Sequence, residues 1–563
     1  MDFKQELIKL LVEGTNLKKE EIANLISTPP DSKLGDYAFP CFKLGKNPKE
    51  EAEKLKEKLK LSKSFSKSEV VGPYLNFFVN TTIFSENTLT KIYKEKRNYG
   101  KQNIGKNQVI AMDYSHPNIA KPFGIGHLRS TVIGNSLYKI LNLLGYKPIG
   151  VNHLGDWGTQ FGKLIVAFKK WGKEKELEKD PIKYLLKLYV KFHDQAEKDE
   201  TLNDQAREAF KKLEEGNKDY LALWESFKAL SLQEFKRIYE ILDVSFDSYQ
   251  GEAFVNKLVP KAIKEAEKKI KTKISEGALI VDLKEKDMPP ILLLKSDGAT
   301  TYHSRDLAAA LYRLKEYKAN KLLYIVGSEQ KLYFKQLFKL MTFLGYNKDQ
   351  FTHADFGLFK FPEGKMSTRK GNVIFLEDVL DKAIDLASQI IEEKNPTLNN
   401  KEEIAKNVGV GAIIFADLSN DRVKNINFDW DRMLSFEGET GPYIQYTHAR
   451  ACSILRKSKK EFGVGITEKI NFDAINIKEE LAVITLLYKF PEVLIKVSET
   501  YKPHHLAQFL IALSQAFNEF YHKCPVISEM EHQMKSRLLL VDSVRQVLEN
   551  GLNLLGIKAP EEM

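Results

Sequence analysis

The sequence predicts an α/β protein: a doubly wound, Rossmann-like parallel sheet, preceded by an α+β domain and followed by an all-α domain. Three observations predict it. The run 108–114 (QVIAMDY) reads as a strand and passes through a glycine-containing turn into a helix. Val132, Ile133, Leu137, Ile140, Leu141 and Leu144 recur there at helical spacing. The run 321–326 (KLLYIV) reads as a second buried strand, with a helix over 335–345, and strands alternating with helices imply parallel pairing. Finally, Leu538, Val541, Leu548, Leu552 and Leu555 give one apolar helical face near the end of the chain.

Taken in order, residues 1–103 read as a separate domain. It has helices at its start and around 49–61, a strand at 75–79, and a linker at 99–105 rich in Gly and Asn. Residues 104–375 carry the parallel sheet, with a Lys- and Glu-rich helical insertion at about 168–245. Residues 376–440 form a helical connecting region, and 441–563 the all-α domain.

Composition narrows the function. With 563 residues and 43% hydrophobic content the chain can bury several cores. A net charge of +10 suits a polyanionic partner such as RNA. Cys41, Cys452 and Cys524 are scattered, with neither metal-ligand nor disulfide spacing, so a reduced, cytoplasmic protein is expected. No apolar run is long enough to cross a bilayer, and the acidic, amphipathic start MDFKQELIKLLVEG is not a signal peptide; no membrane role is expected.

Two short motifs carry chemistry. Gly124-Ile125-Gly126-His127 lies on the first strand-to-helix connection. Gly124 and Gly126 let backbone approach a ligand closely, and His127 stands where free N–H groups and the helix dipole favour phosphate. A helix-capping turn would use the same residues. Downstream, Lys365-Met366-Ser367-Thr368-Arg369, then Lys370, is bracketed by Gly364 and Gly371. Cations between glycines suit a leaving pyrophosphate, whose charge grows in the transition state; a solvated basic hairpin is the other reading. Their joint occurrence in this order points to one domain that uses ATP.

The words around these motifs resemble the arginyl branch of the class I aminoacyl-tRNA synthetases. They are SHPNIAKPFGIGHLRSTVIGNSL from Ser115, NHLGDWGTQFG from Asn152, YHSRDLA from Tyr302, KMSTRKGN from Lys365 and GPYIQYTHAR from Gly441, with GDYA at Gly35 and GPYLNF at Gly72. The resemblance runs over nearly the whole chain. It implies activation of L-arginine with ATP and Mg²⁺ as substrate, no tightly bound cofactor and no protein metal site, transfer to tRNA(Arg), and a monomer.

It also implies roles. Lys121, His127 and Lys365 are the expected catalytic residues. Gly124, Gly126, His127, His153, Gly155, Gln160, Lys365, Met366, Ser367 and Arg369 are expected on ATP. Asn118, Glu252, Tyr302, Asp306 and Gln330 match arginine-binding positions, with Asp113 a further candidate for the ammonium group. Carboxylates suit a guanidinium, whose donors are planar and forked. Asn76 in the first domain, and Tyr443, Tyr446 and Arg450 in the last, are expected on tRNA, the first domain reading the tRNA body and the last the anticodon. Asp156 is expected to cap the helix that follows it. Two departures stand out: Gly124 replaces a histidine common in the first motif, and Thr368 a lysine common in the second. Lys121, Arg369 and Lys370 are candidate substitute cations. A small-molecule nucleotidyltransferase and a non-catalytic RNA-binding relative are the alternatives.

Overall fold

The structure is a computed structural model that describes residues 3–283, 288–360, 375–427, 429–528 and 530–563. It divides into two units. The first comprises Met1–Tyr99, Arg450–Lys489 and Ala512–Val547; the second comprises Gly100–Ala449, Phe490–Ile511 and Leu548–Met563.

The first unit opens with helices α1 (Phe3–Gly14) and α2 (Lys19–Leu25), strand β1 (Tyr37–Pro40), helix α3 (Pro48–Lys58), strands β2 (Phe65–Val71) and β3 (Tyr74–Val79), and helix α4 (Thr81–Glu95). The strands form an antiparallel sheet in the order β1-β3-β2. Leu7, Ile8 and Leu11 recur at helical spacing on α1, and Leu75 and Phe77 alternate on β3; all are buried in one core with Phe39 and Phe65. Asn80 caps α4 by accepting hydrogen bonds from the Thr82 and Ile83 N–H groups.

The second unit is built on a four-stranded parallel sheet of β4 (Val109–Asp113), β5 (Lys147–Val151), β9 (Lys321–Tyr324) and β10 (Phe351–His353), in the order β10-β9-β4-β5. Helix α5 (Ile125–Leu143) returns β4 to β5. The long crossover to β9 then passes to the other side of β4. The order in which strands are added therefore reverses between β4 and β9, the point at which a doubly wound sheet leaves a crevice at the carboxyl ends of its strands. That crossover contains α6 (Thr159–Trp171), α7 (Glu174–Lys179), α8 (Pro181–Ala196), α9 (Thr201–Glu214) and α10 (Lys218–Ile241). It continues through α11 (Glu252–Asn256), α12 (Val259–Lys269), an antiparallel sheet of β6 (Thr272–Ser275), β7 (Ala278–Val281) and β8 (Ile291–Leu294), and α13 (Tyr302–Glu316). Thr301 and Ser304 form a capping box that starts α13 at Tyr302.

Helix α14 (Lys331–Phe343) begins earlier than its apolar pattern predicts, because the turn Ser328–Gln330 leads directly into it. Beyond β10 come β11 (Phe359–Lys360), α15 (Leu376–Lys394), α16 (Lys401–Leu418), β12 (Ile426–Asn427), which pairs with β11, and α17 (Trp430–Leu434). The rest of the chain carries four long helices, α18 (Gly441–Phe462), α19 (Lys478–Thr500), α20 (His504–Lys523) and α21 (Glu531–Leu555), so the expected all-α ending is found. No described helix is long and apolar enough to cross a membrane.

Candidate active site

A cleft of about 1270 Å³ lies in the second unit. It gathers Asn118, Lys121, Gln160, Glu252 and Tyr302, which come from well-separated stretches of sequence, together with Trp157, Lys163, Lys211, Lys295 and Arg305. The loop after β4 supplies Asn118 and Lys121, α6 supplies Gln160, the first residue of α11 is Glu252, and Tyr302 opens α13.

Local packing explains these placements. Asn118 bridges to Gly155, and a Cβ on Gly155 would stand 2.1 Å from Asn118 Oδ1, so the two loops approach as only glycine allows. The loop after β4 takes left-handed backbone at Ser115, His116 and Ala120, unusual for residues with a side chain. Helix α10 holds it there. Ser231 Oγ accepts from the Ala120 N–H at 2.8 Å, and the Tyr239 hydroxyl pairs with Ser115 Oγ at 2.7 Å and accepts from Asn152 Nδ2 at 2.8 Å. Asp156 does not cap the helix that follows it. Its carboxylate turns inward, accepting from the Ala253 N–H at the start of α11 and pairing with Lys228 at 2.6 Å, and so it positions Glu252. The interior offers Asp156 a cation and an orphan helix donor, and Gly158 is left as the unassisted cap of α6.

The charges form a buried network. Asp113 ends β4, with one oxygen 2.5 Å from Arg313 and the other 2.6 Å from His116 Nε2. Burial alone would push its carboxyl up, but the charges of Arg313 and His116 outweigh that and hold it well below the usual range. Asp306 lies one turn beyond Tyr302 on α13 and accepts a hydrogen bond from the Tyr333 hydroxyl. Glu252 is pushed up to about 7 by burial, with Arg305 opposing the rise and Asp306 and Asp156 adding to it. Gln330 ends an exposed turn at the start of α14.

On the nucleotide side, Gly124 and His127 sit at the start of α5, with His127 Nδ1 3.2 Å from the Gly124 carbonyl. Burial pushes His127 down to about 4, so the ring is neutral near pH 7. Open space surrounds the position of a Cβ on Gly126. Lys121 Nζ donates to Gln160 Oε1 at 3.3 Å. His153 Nδ1 lies 3.2 Å from the Gln250 carbonyl, and burial lowers its pKa. Lys365, Met366, Ser367, Thr368, Arg369 and Lys370 lie outside the described residues. The described chain resumes at Phe375, which bridges to Gly124, and the Leu376 N–H donates to the Phe123 carbonyl at 2.9 Å.

The residues expected on tRNA are placed differently. Asn76 is 3% exposed, in the middle strand of its sheet, so the expectation that it offers its amide to a base is not met. Alternation along β3 puts Leu75 and Phe77 in the core and Asn76 on the opposite face with Tyr74, yet Asn76 is covered there, whereas Phe42 and Tyr74 are exposed and pack edge to face at 5.8 Å. Tyr443 and Tyr446 fall in the second unit, Tyr446 with its ring exposed. Arg450 belongs to the first unit and donates to Asn518 Oδ1 at 2.7 Å.

The site has members that motif reading missed: Arg305, Arg313, His116, Tyr333 and the α10 pair Ser231 and Tyr239. A signal existed for Arg313. Tyr302, Asp306 and Arg313 share one helical stripe, and a charged stripe on a helix rich in alanine and leucine marks buried ion pairs.

Comparison with known proteins yields three family models. One described as "tRNA synthetases class I (R), catalytic domain" matches residues 88–430. "Arginyl tRNA synthetase N terminal domain" matches 2–79, and "DALR anticodon binding domain" matches 444–563. The arginine–tRNA ligase of Alkaliphilus metalliredigens is 48% identical over 571 residues, covering 100% of both chains, and that of Clostridioides difficile 48% over 569 residues, again covering 100% of both. Among solved structures, the Thermus thermophilus arginyl-tRNA synthetase matches with a TM-score of 0.82 and 27% identity over 96% of each chain.

Proposed function

Since the chain belongs to the class I arginyl-tRNA synthetases, we propose how its residues divide that family's reaction. The activity is that of an arginine–tRNA ligase: L-arginine is activated with ATP to arginyl-adenylate and passed to the 3′ end of tRNA(Arg), releasing AMP and pyrophosphate. The proposal concerns which side chains do what.

Arginine lies in the cleft with its guanidinium between Glu252 and Asp306 and against Tyr302, while Asn118 and Gln330 complete its contacts. The observation that carries this reading is that Asn118, Glu252 and Tyr302 line one cleft, with Asp306 a turn along α13. Asp113 stands at the ammonium end. Its carboxylate is held in place by Arg313 and His116, one on each oxygen.

ATP lies over the start of α5, with its phosphates on Gly124, Gly126 and the helix N-terminus, and its adenosine toward His153, Gly155 and Gln160. The arginine carboxylate attacks the α-phosphorus in line. Lys121 and His127, with Lys365, Met366, Ser367 and Arg369 of the second motif, stabilise the charge that passes to pyrophosphate. Mg²⁺ arrives with ATP, on its phosphates. A terminal ribose hydroxyl of tRNA then attacks the acyl carbonyl. No protein nucleophile is needed; positioning and electrostatics supply the rate.

Residues 1–103 are assigned to the tRNA body, through Phe42 and Tyr74, and 104–375 to catalysis. The segment 376–440 connects to 441–563, which carries Tyr443, Tyr446 and Arg450 and is assigned to the anticodon. The enzyme acts as a cytoplasmic monomer. ATP–pyrophosphate exchange with each amino acid, with and without tRNA, tests the scheme. We further propose that activation depends on bound tRNA, so arginine-dependent exchange should require tRNA(Arg), and robust exchange in tRNA-free enzyme would contradict that dependence.

A further inference from the structure

Arg305 lies on α13 inside the cleft, between the two residues proposed for the substrate guanidinium. Its guanidinium carbon stands 4.8 Å from the centre of the Tyr302 ring, and Nη1 is 3.8 Å from Glu252 Oε2. That is ion-pair distance but too long for a hydrogen bond. The Arg305 Nε is buried and meets no acceptor among the described residues. Arg305 therefore supplies charge to Glu252 without occupying its lone pairs.

Glu252 needs such a partner. Asp306 on α13 and Asp156 on the loop after β5 both face it, and Lys228 on α10 is committed to Asp156. A carboxylate in a desolvated cleft beside two others takes up a proton unless a cation stands near. A protonated Glu252 would meet arginine as a neutral acid and lose the charge-assisted fork.

We infer that Arg305 is the resident counter-ion of Glu252, favouring its charged form and aiming it into the cleft, and so acts as a positioning residue for amino-acid recognition. This rests on the proposal that Glu252 and Tyr302 receive the substrate guanidinium. The loose 3.8 Å geometry is what the role requires. Arriving arginine takes the direct hydrogen bonds, and Arg305 stays stacked on Tyr302.

The test is tRNA(Arg) charging by the full chain, titrated with arginine between pH 6.5 and 9, each variant normalised to wild type at the same pH. Arg305→Met and Arg305→Gln should each raise the arginine KM about tenfold at pH 6.5, the effect of about one unit of lost ionisation. The defect should shrink toward pH 9 as Glu252 ionises unaided, with kcat close to wild type throughout. Glu252→Gln should raise KM at every pH, and more at pH 9 than at pH 6.5, where wild-type Glu252 is itself partly protonated. Two results would overturn the inference while sparing the assignment of Glu252: a pH-independent KM defect in both Arg305 variants, or wild-type KM at pH 6.5 beside an impaired Glu252→Gln. An unchanged arginine KM in Glu252→Gln would instead overturn the assignment of Glu252, and the inference with it.

Discussion

Two arginines of the second unit, buried Arg129 and half-buried Arg305, look alike in sequence and behave oppositely in the fold. Arg129 sits on α5, 1% exposed, with its donors spent. Nε reaches Asp417 at 3.2 Å, Nη1 the carbonyls of Gly357 at 2.7 Å and Lys424 at 2.9 Å, and Nη2 that of Arg422 at 3.3 Å. Arg305 faces a cleft, with an unmet Nε and a carboxylate held at arm's length. In the first unit Arg537 likewise has its Nε met, giving it to Glu480, and gives Nη1 to the Pro525 carbonyl. A met Nε thus separates the arginines that hold the fold from the one proposed to serve a ligand.

The sharpest way to test that contrast is on the ligand side. A cleft built to satisfy a forked guanidinium should reject lysine by roughly 10⁴-fold in kcat/KM, and Asp306→Asn should lose most of that discrimination while melting near wild type. Comparable charging with lysine in the wild-type enzyme would break the reading. On the structural side, Arg129→Met strands the buried Asp417 and should cost about 3–5 kcal/mol in a denaturant titration. A stable protein with lost arginine affinity would reverse the two roles. Lys121 lies between these extremes, since its hydrogen bond to Gln160 is long at 3.3 Å. Lys121→Ala should slow single-turnover adenylate formation about 10²-fold, the scale for losing a preorganised donor, with little change in stability. The smallest effect belongs outside the cleft. Tyr446→Ala should weaken tRNA(Arg) binding by about 1–3 kcal/mol, as for one lost base stack, and leave the arginine and ATP KM values unchanged.

The sequence made the framework legible where chemistry is written in consecutive residues. The strand ending at Asp113, the Gly-x-Gly-His turn and the stripe Tyr302/Asp306 are local patterns, and the fold carries all three. What stayed hidden depends on pairing across distance. The Arg313–Asp113 and Asp156–Lys228 contacts join segments far apart in the chain, so no window of sequence contains both partners. Asn76 misled for a related reason: the word around it is informative and alternation sets it on the face away from Leu75 and Phe77, but its place in the middle strand leaves it covered on that face too. Arg305 was spelled out in YHSRDLA and still passed over, because its significance lies in an unmet donor, and satisfaction is a property of three-dimensional surroundings.

Helix α13 has a consequence of its own. It carries Tyr302, Arg305, Asp306 and Arg313 within one run of regular backbone, so the charges proposed for the substrate and those that brace them share a single rotational phase. Adding or removing one residue between Tyr302 and Arg313 would swing one end against the other by about 100°. The helix could still form, and its alanines would still find apolar neighbours, but Asp306 and the Arg313 that pairs with Asp113 would face different directions. Between these two positions the chain can drift in composition far more readily than in length.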